Sequence, residues 1–118
     1  MEGMIDQNKI NLAKEFAIKS FKEANVGNHW PDVLDILVNE FGIDDTALLQ
    51  AAILHDVIED TNVTYEEILN LFSKEVADLV REVSHPKNYN KKQQLEYYEH
   101  LKSISERAKI LKLADFTA

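Results

Sequence analysis

The fold of this chain is decided by one stretch of sequence, TALLQAAILHDVI, which occupies residues 46–58. Its apolar residues cover nearly every face of a helical wheel, whereas a surface helix carries a single apolar stripe. These residues are Ala47, Leu48, Leu49, Ala51, Ala52, Ile53, Leu54, Val57 and Ile58. The pattern predicts a helix that is buried at the centre of the domain and that carries two ionisable residues, His55 and Asp56, inside it.

Six further helices are predicted around this central helix from apolar spacing and capping residues. The predicted segments are 10–24, 31–41, 64–72, 73–83, 91–103 and 105–118. The first ends near residues 25–27, Gly42 stops the second, and Asp44 or Asp45 caps the central helix. We therefore expect an all-α protein, a single compact bundle of about six or seven helices over residues 1–118. Because the last residues offer no C-terminal cap, we expect the original protein to continue beyond Ala118.

The later helices are predicted from capping residues at their starts and from apolar residues that recur on one side. Thr64 and Glu67 form a T-x-x-E capping box for the fourth of the seven helices in chain order, and Ser73 can cap the fifth. The sixth places Leu95, Tyr98 and Leu101 on one side, which we expect to face the core.

Composition and charge exclude several classes of function. The chain has 118 residues with 45% hydrophobic, 3 Gly and 2 Pro, which favours long regular segments. Its net charge of −8 argues against nucleic acid and anionic membranes as partners. With no cysteine it forms no disulfide and no zinc ribbon, which fits a reducing cytoplasm. Any metal must therefore be held by histidine and carboxylate side chains.

The informative feature is the pair His55 and Asp56 inside the most apolar helix. Burying two ionisable groups costs several kcal/mol unless a partner compensates. Glu59 lies four residues after His55, and Asp60 lies four residues after Asp56. Three carboxylates and an imidazole therefore crowd one end of the helix. A divalent cation would relieve this repulsion. The structural alternative is a hydrogen-bonded His–Asp pair that only fills the core.

Two further candidate ligands lie far away in the sequence. His29 precedes the second helix, and Asp115 stands in the last helix at a position where Leu111 and Ala114 predict burial. Two histidines and two aspartates with water in the remaining positions suit Mn, Fe, Co or Zn better than Ca or Mg. Open coordination positions are typical of catalytic metal sites.

The run AAILHDVIEDT at residues 51–61, followed by Thr64-x-x-Glu67, resembles the signature of HD-superfamily metal-dependent phosphohydrolases. More narrowly, it is similar to the (p)ppGpp hydrolase domains of RelA/SpoT proteins and to the small alarmone hydrolases. Segments 13–17, 28–29 and 109–115 also fall in the family's order, so the resemblance spans nearly the whole chain.

This resemblance implies a set of site residues and a chemistry. It makes His29, His55, Asp56 and Asp115 the metal ligands. It makes Glu59 and Asp60 the acids that position or activate the attacking water. The family uses Mn²⁺ to remove the 3′-pyrophosphate of guanosine tetra- or pentaphosphate, so the implied cofactor is Mn²⁺ or another divalent transition metal. The implied partner is a small-molecule nucleotide.

Two features depart from the family pattern. Trp30 stands between His29 and Pro31, where family members usually have His followed directly by Pro. The longer basic segment near the guanine pocket is missing, because only residues 22–28 occupy that region. Two alternatives therefore stay open. The chain could hydrolyse another nucleotide, or it could be a non-catalytic helical module in which a metal is a structural staple.

Other polar and aromatic residues receive simpler interpretations. Lys112 is the candidate phosphate contact. The alternative interpretation is that it lies on a solvated helix face, as most lysines do. We expect His85 and His100 at the surface and Tyr97 partly exposed. Trp30 is interpreted as a hydrophobic staple at the start of the second helix.

Overall fold

Seven α-helices and a π-helical segment follow one another in the residues that the computed structural model describes, which are 6–25, 30–84 and 90–117. The helices are α1 (Gln7–Ala24), α2 (Trp30–Asp35), α3 (Thr46–Asp60), α4 (Tyr65–Leu71), α5 (Lys74–Val83), α6 (Lys91–Leu101) and α7 (Glu106–Thr117). The π-helical segment, Ile36–Glu40, continues α2. The predicted all-α class is confirmed.

The helix ends in the first half of the chain follow the predicted capping residues. Asn25 ends α1 in the left-handed conformation, with φ of 56°, and Gly42 takes φ of 66° after the π-helical segment. Both conformations close a helix by turning the chain out of its axis. The side chain of Asp45 accepts a hydrogen bond from the Leu48 N–H at 3.2 Å and so caps α3.

The starts of α4 and α5 are also the predicted ones, whereas the sixth helix, predicted over 91–103, ends at Leu101. Thr64 and Ser73 accept hydrogen bonds from the N–H groups of Glu67 and Val76, at 3.3 and 3.2 Å. Each therefore satisfies a donor in the first turn of its helix.

Helix α3 is the centre of the bundle, as its sequence predicts. It packs against α1, α2, α5 and α7, and its residues from Ala51 to Leu54 are fully buried. Burial on all sides explains why nearly every position is apolar. Among the described helices, α3 included, none combines the length and the apolar character that crossing a membrane requires.

The second predicted helix is interrupted rather than continuous. The chain leaves the α-helical pattern at Ile36, and the Phe41 N–H donates to the Ile36 carbonyl, which is the i to i−5 bond of a π-turn. Since a π-turn contains more residues than an α-turn, it displaces Phe41 from the line of the apolar stripe. Phe41 is accordingly 37% exposed, whereas Val33 and Leu37 are fully buried.

The predicted inner face of α6 is wrong at Leu95. Leu95 is 58% exposed, and Tyr97, expected to be partly exposed, is 7% exposed. Two residues along a helix are about 200° apart, so a helix that buries Tyr97 must expose Leu95. Leu101, four residues after Tyr97, packs partly buried against the core as predicted. The side chain of Tyr98 lies outside the described residues.

Candidate metal centre

His55 has its orientation fixed by the helix that carries it. The ring is fully buried, and its Nδ1 lies 2.7 Å from the Ala52 carbonyl oxygen, one turn earlier in α3. A carbonyl oxygen only accepts hydrogen bonds, so Nδ1 carries a proton and donates it. The other ring nitrogen, Nε2, does not contact this carbonyl and points away from the helix turn that holds Nδ1.

Two carboxylates meet that nitrogen. Nε2 of His55 lies 3.2 Å from Oδ1 of Asp56 in α3 and 3.2 Å from Oδ1 of Asp115 in α7. Both carboxylates are poorly accessible, with 11% and 13% of their side-chain surface exposed. Burial lowers the pKa of His55, but the hydrogen bond to Asp115 and the negative charges of Asp56 and Asp115 outweigh it, so the pKa is raised above its ordinary value.

The donor set fits a divalent metal ion. Nδ1 is occupied by the Ala52 carbonyl, so Nε2 is the ring nitrogen that faces the two carboxylate oxygens, and these groups repel one another unless a proton or a metal cation lies between them. The three ligand atoms of His55, Asp56 and Asp115 lie within 4.8 Å of one another. One imidazole nitrogen and two carboxylate oxygens form a ligand set that transition metals accept. With three protein ligands, such an ion keeps positions for water or substrate.

The other predicted site residues lie at different distances from this cluster. Glu59 is on the next turn of α3 and is buried, with 8% of its surface exposed, whereas Asp60 is exposed at the end of the helix. Burial raises the pKa of Tyr97, and the negative charge of Glu59 acts in the same direction. His29 and His85 lie outside the described residues. His100 is exposed, as predicted, with Nε2 3.1 Å from the Glu82 carbonyl oxygen.

Lys112 lies beside the cluster and not on a solvated face. Its Nζ is 3.0 Å from Oδ2 of Asp115, and 8% of its side chain is exposed. The same Nζ is 5.6 Å from the centroid of the Tyr97 ring. Burial lowers the pKa of Lys112, but the interactions with Tyr97 and Asp115 outweigh it and raise the pKa.

Tyr97 is the residue near the site that the sequence did not indicate. Its hydroxyl donates to the Val83 carbonyl oxygen at 2.8 Å, which ties α6 to the end of α5. Its spacing of four residues from Leu101 is the signal that could have placed it on the inner face of α6.

A second contact fixes α7 against α3. The guanidinium of Arg107 binds the Asp45 carboxylate through Nε and Nη2, both at 2.8 Å, and binds Glu75 through Nη1 at 2.9 Å. Asp45 is also the cap of α3, so one carboxylate connects the start of the central helix to the helix that carries Asp115. This connection ties α7, which carries Asp115, to α3, which carries His55 and Asp56.

A separate groove of about 470 Å³ lies between α1, α2 and the π-helical segment. Trp30 and Pro31 line it together with Ile10, Lys14 and Leu49. Trp30 is 7% exposed at the first position of α2, which agrees with its interpretation as an apolar contact at the helix start. The ligands of the metal cluster are not among the residues that line this groove.

The family of this chain follows from comparison with known proteins. Residues 17–117 match the family model described as HD domain. The chain belongs to the HD domain family. The sequence resemblance to this family is therefore confirmed.

Relatives of this HD domain include proteins named guanosine-3′,5′-bis(diphosphate) 3′-pyrophosphohydrolase MESH1. The one from Xenopus tropicalis is 48% identical over 92 residues, which are 75% of this chain and 50% of the relative. The human one is 44% identical over 92 residues, again 75% and 50%. The chain thus spans about half the length of these curated relatives.

Two further comparisons extend the family to bacteria and to a solved structure. The bifunctional (p)ppGpp synthase/hydrolase SpoT of Escherichia coli K12 is 58% identical over 40 residues, which are 34% of this chain and 6% of SpoT. A solved structure described as a metazoan ortholog of SpoT that hydrolyses ppGpp matches with a TM-score of 0.80 and 34% identity. The match covers 91% of this chain and 65% of that one. The fold of this HD domain is therefore that of the solved relative.

Proposed function

We propose that this chain is a metal-dependent phosphohydrolase that removes the 3′-pyrophosphate of guanosine tetra- or pentaphosphate. The observation that carries the proposal is the buried Nε2 of His55 facing two carboxylate oxygens at 3.2 Å, in a chain whose relatives are named for this reaction. Such a nitrogen, with its partner Nδ1 already donating to a carbonyl, is prepared to bind a cation.

The proposed metal ligands are His55, Asp56 and Asp115, with His29 as the fourth. Mn²⁺ is the proposed ion because the family resemblance implies it, and the mixed nitrogen and oxygen ligand set suits Mn, Fe, Co or Zn. When bound, a divalent cation lowers the pKa of water and neutralises charge on phosphoryl oxygens, which supplies the positive charge that a protein of net charge −8 lacks.

The proposed acid and base groups are Glu59 and Asp60. Glu59 is buried one turn beyond His55, on the helix that carries two of the proposed ligands, which favours it as the general base. In this proposal, Glu59 accepts the proton that the attacking water loses, while Asp60 at the exposed helix end orients that water. Lys112 stays a predicted phosphate contact.

A second candidate keeps the metal chemistry and changes the nucleotide. It is favoured by the short connection between α1 and α2, which consists of residues 25–29 alone. This connection leaves no room for the longer basic segment that the family resemblance implies for binding guanine. A phosphohydrolase of another nucleotide remains compatible with the same ligands.

The experiment that tests these proposals measures Mn²⁺ binding and pyrophosphate release from ppGpp on the same preparations. Asp56→Asn removes a ligand, so we expect weak Mn²⁺ binding and no turnover. Glu59→Gln keeps the ligands and removes the base, so we expect Mn²⁺ binding to persist and turnover to fall by about 10²- to 10⁴-fold. Glu66→Gln changes an exposed acid of α4 and is the matched control.

Each proposal has its own outcome in this experiment. Turnover of ppGpp that is lost on chelation and restored by Mn²⁺ supports the first. Turnover of another nucleotide without that of ppGpp supports the second candidate. Mn²⁺ binding with no hydrolysis of any nucleotide indicates the structural staple, and no Mn²⁺ binding by the unmodified chain overturns all three.

A further inference from the structure

The carboxylate of Asp115 has its two oxygens divided between two partners. Oδ1 lies 3.2 Å from Nε2 of His55, and Oδ2 lies 3.0 Å from Nζ of Lys112. A charge-assisted hydrogen bond of this kind restricts rotation of the carboxylate about its last bond. The orientation of Oδ1 toward the metal cluster thus depends on what holds Oδ2.

Lys112 is itself held in place by its surroundings. Its side chain is 8% exposed, and its ammonium lies over the Tyr97 ring at 5.6 Å from the centroid, a distance at which a cation is attracted by the ring face. The Tyr97 hydroxyl is in turn fixed by the Val83 carbonyl oxygen at 2.8 Å. A lysine whose charge is already bound on two sides would have to break both contacts to reach a substrate.

We propose that Lys112 is a positioning residue that occupies Oδ2 of Asp115 and so presents Oδ1 alone to the metal. This inference rests on the proposed metal site and assigns Lys112 an action through Asp115 in place of a direct phosphate contact. Tyr97 contributes by holding the ammonium of Lys112 on the correct side of the carboxylate. Asp115 would then hold a bound metal through one oxygen, which would leave a coordination position for water or substrate.

The measurement that tests this inference is the visible absorption spectrum and the affinity of Co²⁺, used as a probe of the metal site. The intensity of these bands falls as the number of ligand atoms around Co²⁺ rises. Lys112→Met removes the ammonium from Oδ2, so the less restrained carboxylate of Asp115 can offer both oxygens to Co²⁺. We expect weaker bands and an affinity lower by about tenfold, the lower end of the usual effect of removing a residue that orients a ligand. Lys112→Arg restores a donor to Oδ2 and should recover the unmodified spectrum.

The matched control is Lys109→Met on the same helix. Lys109 also pairs with an acid three residues away, Glu106, at 3.7 Å, but it is 44% exposed. Its replacement should leave the Co²⁺ spectrum and affinity unchanged. If Lys112→Met fails to fold by circular dichroism, Lys112→Gln, which removes the charge with a shorter side chain, is measured in its place.

The outcomes separate this inference from the proposed function. An unchanged spectrum and affinity in Lys112→Met, with a raised KM for the nucleotide, would show direct substrate contact and overturn the positioning role. A higher Co²⁺ affinity would show that Lys112 competes with the metal and would overturn it as well. If the unmodified chain binds neither Co²⁺ nor Mn²⁺, both the inference and the proposed metal site fail.

Discussion

Replacing Arg107 by methionine should lower the free energy of unfolding by about 1.5 kcal/mol, because Arg107 fastens α7 to the capped start of α3. Its contact with Asp45 is bidentate, with both distances at 2.8 Å, and Arg107 and Asp45 are each 36% exposed. Exposed ion pairs contribute about 0.2–1 kcal/mol, and bidentate geometry places this one near about 1 kcal/mol. Glu75 is 58% exposed and adds about 0.5 kcal/mol.

The assay is urea unfolding followed by far-ultraviolet circular dichroism. With a slope of about 1.5 kcal/mol per molar urea, the midpoint of Arg107→Met should fall by about 1 M. Asp45→Asn removes the charge but keeps the cap of α3, since Asn and Asp are equally good at that position. A double-mutant cycle of these two replacements therefore isolates the ion pair, and we expect a coupling of about 1 kcal/mol.

Salt and a matched pair provide the checks. In 1 M NaCl the screening length falls to about 3 Å, so the coupling should shrink. Lys102→Met breaks a pair with Glu99 in which both side chains are more than 70% exposed, and its effect should stay below about 0.3 kcal/mol. A coupling between Arg107 and Asp45 below about 0.3 kcal/mol, or one that salt leaves unchanged, would refute the reasoning.

Three further predictions concern the core, a buried hydroxyl and acid stability. Leu54→Ala should cost about 2–5 kcal/mol in urea unfolding because Leu54 is fully buried, whereas Leu95→Ala, at 58% exposure, should stay within about 0.5 kcal/mol. If Leu95→Ala costs as much as Leu54→Ala, the assignment of Leu95 to the exposed face of α6 is wrong. Thr61→Val should cost about 1–2 kcal/mol, because the buried hydroxyl donates to the Val57 carbonyl at 2.6 Å, and an unchanged midpoint would contradict that bond. The hydrogen bonds to Asp78, first from Lys74 and then from Tyr65, lower its pKa. Its stabilisation is therefore complete above the pKa of the unfolded chain and is lost as the pH falls through the lower folded value. The stability difference between the unmodified chain and Asp78→Asn should accordingly shrink as unfolding is measured from about pH 5 downward, and a difference that grows would contradict this sign.

Local signals in the sequence were sufficient for the helices and most of their caps. Asn25, Gly42, Asp45, Thr64 and Ser73 end or start helices where the sequence predicts, because each conformation or cap depends on neighbouring residues alone. The π-helical segment after Ile36 and the rotation of α6 were not predictable in this way. Both depend on which side of the helix meets a neighbour, and apolar spacing alone did not distinguish the face of Tyr97 from that of Leu95.

The residues of the candidate site were indicated by the sequence, whereas the contacts between them depend on the packing of the helices. His55 and Asp56 stand out in the sequence because ionisable residues in a buried helix need compensation. Asp115 was indicated by an acid at a buried position and by the family resemblance, and the packing of α7 on α3 brings it to 3.2 Å from His55. Glu59 and Asp60 stay predicted catalytic acids and His29 a predicted ligand until turnover and metal binding are measured. The Co²⁺ spectrum of Lys112→Met decides between the predicted phosphate contact of Lys112 and its proposed positioning role.

The sequence by itself determined a helical domain with a buried central helix and a His–Asp pair inside it, because burial on all sides leaves an unmistakable apolar pattern. The tertiary structure alone decided how the cluster is built. It placed two carboxylates on one imidazole nitrogen, put Lys112 on the second oxygen of Asp115, and set the ammonium of Lys112 over the Tyr97 ring. Distances between residues 55, 97, 112 and 115 depend on how α3, α6 and α7 pack, and no local pattern in the sequence encodes such angles and distances.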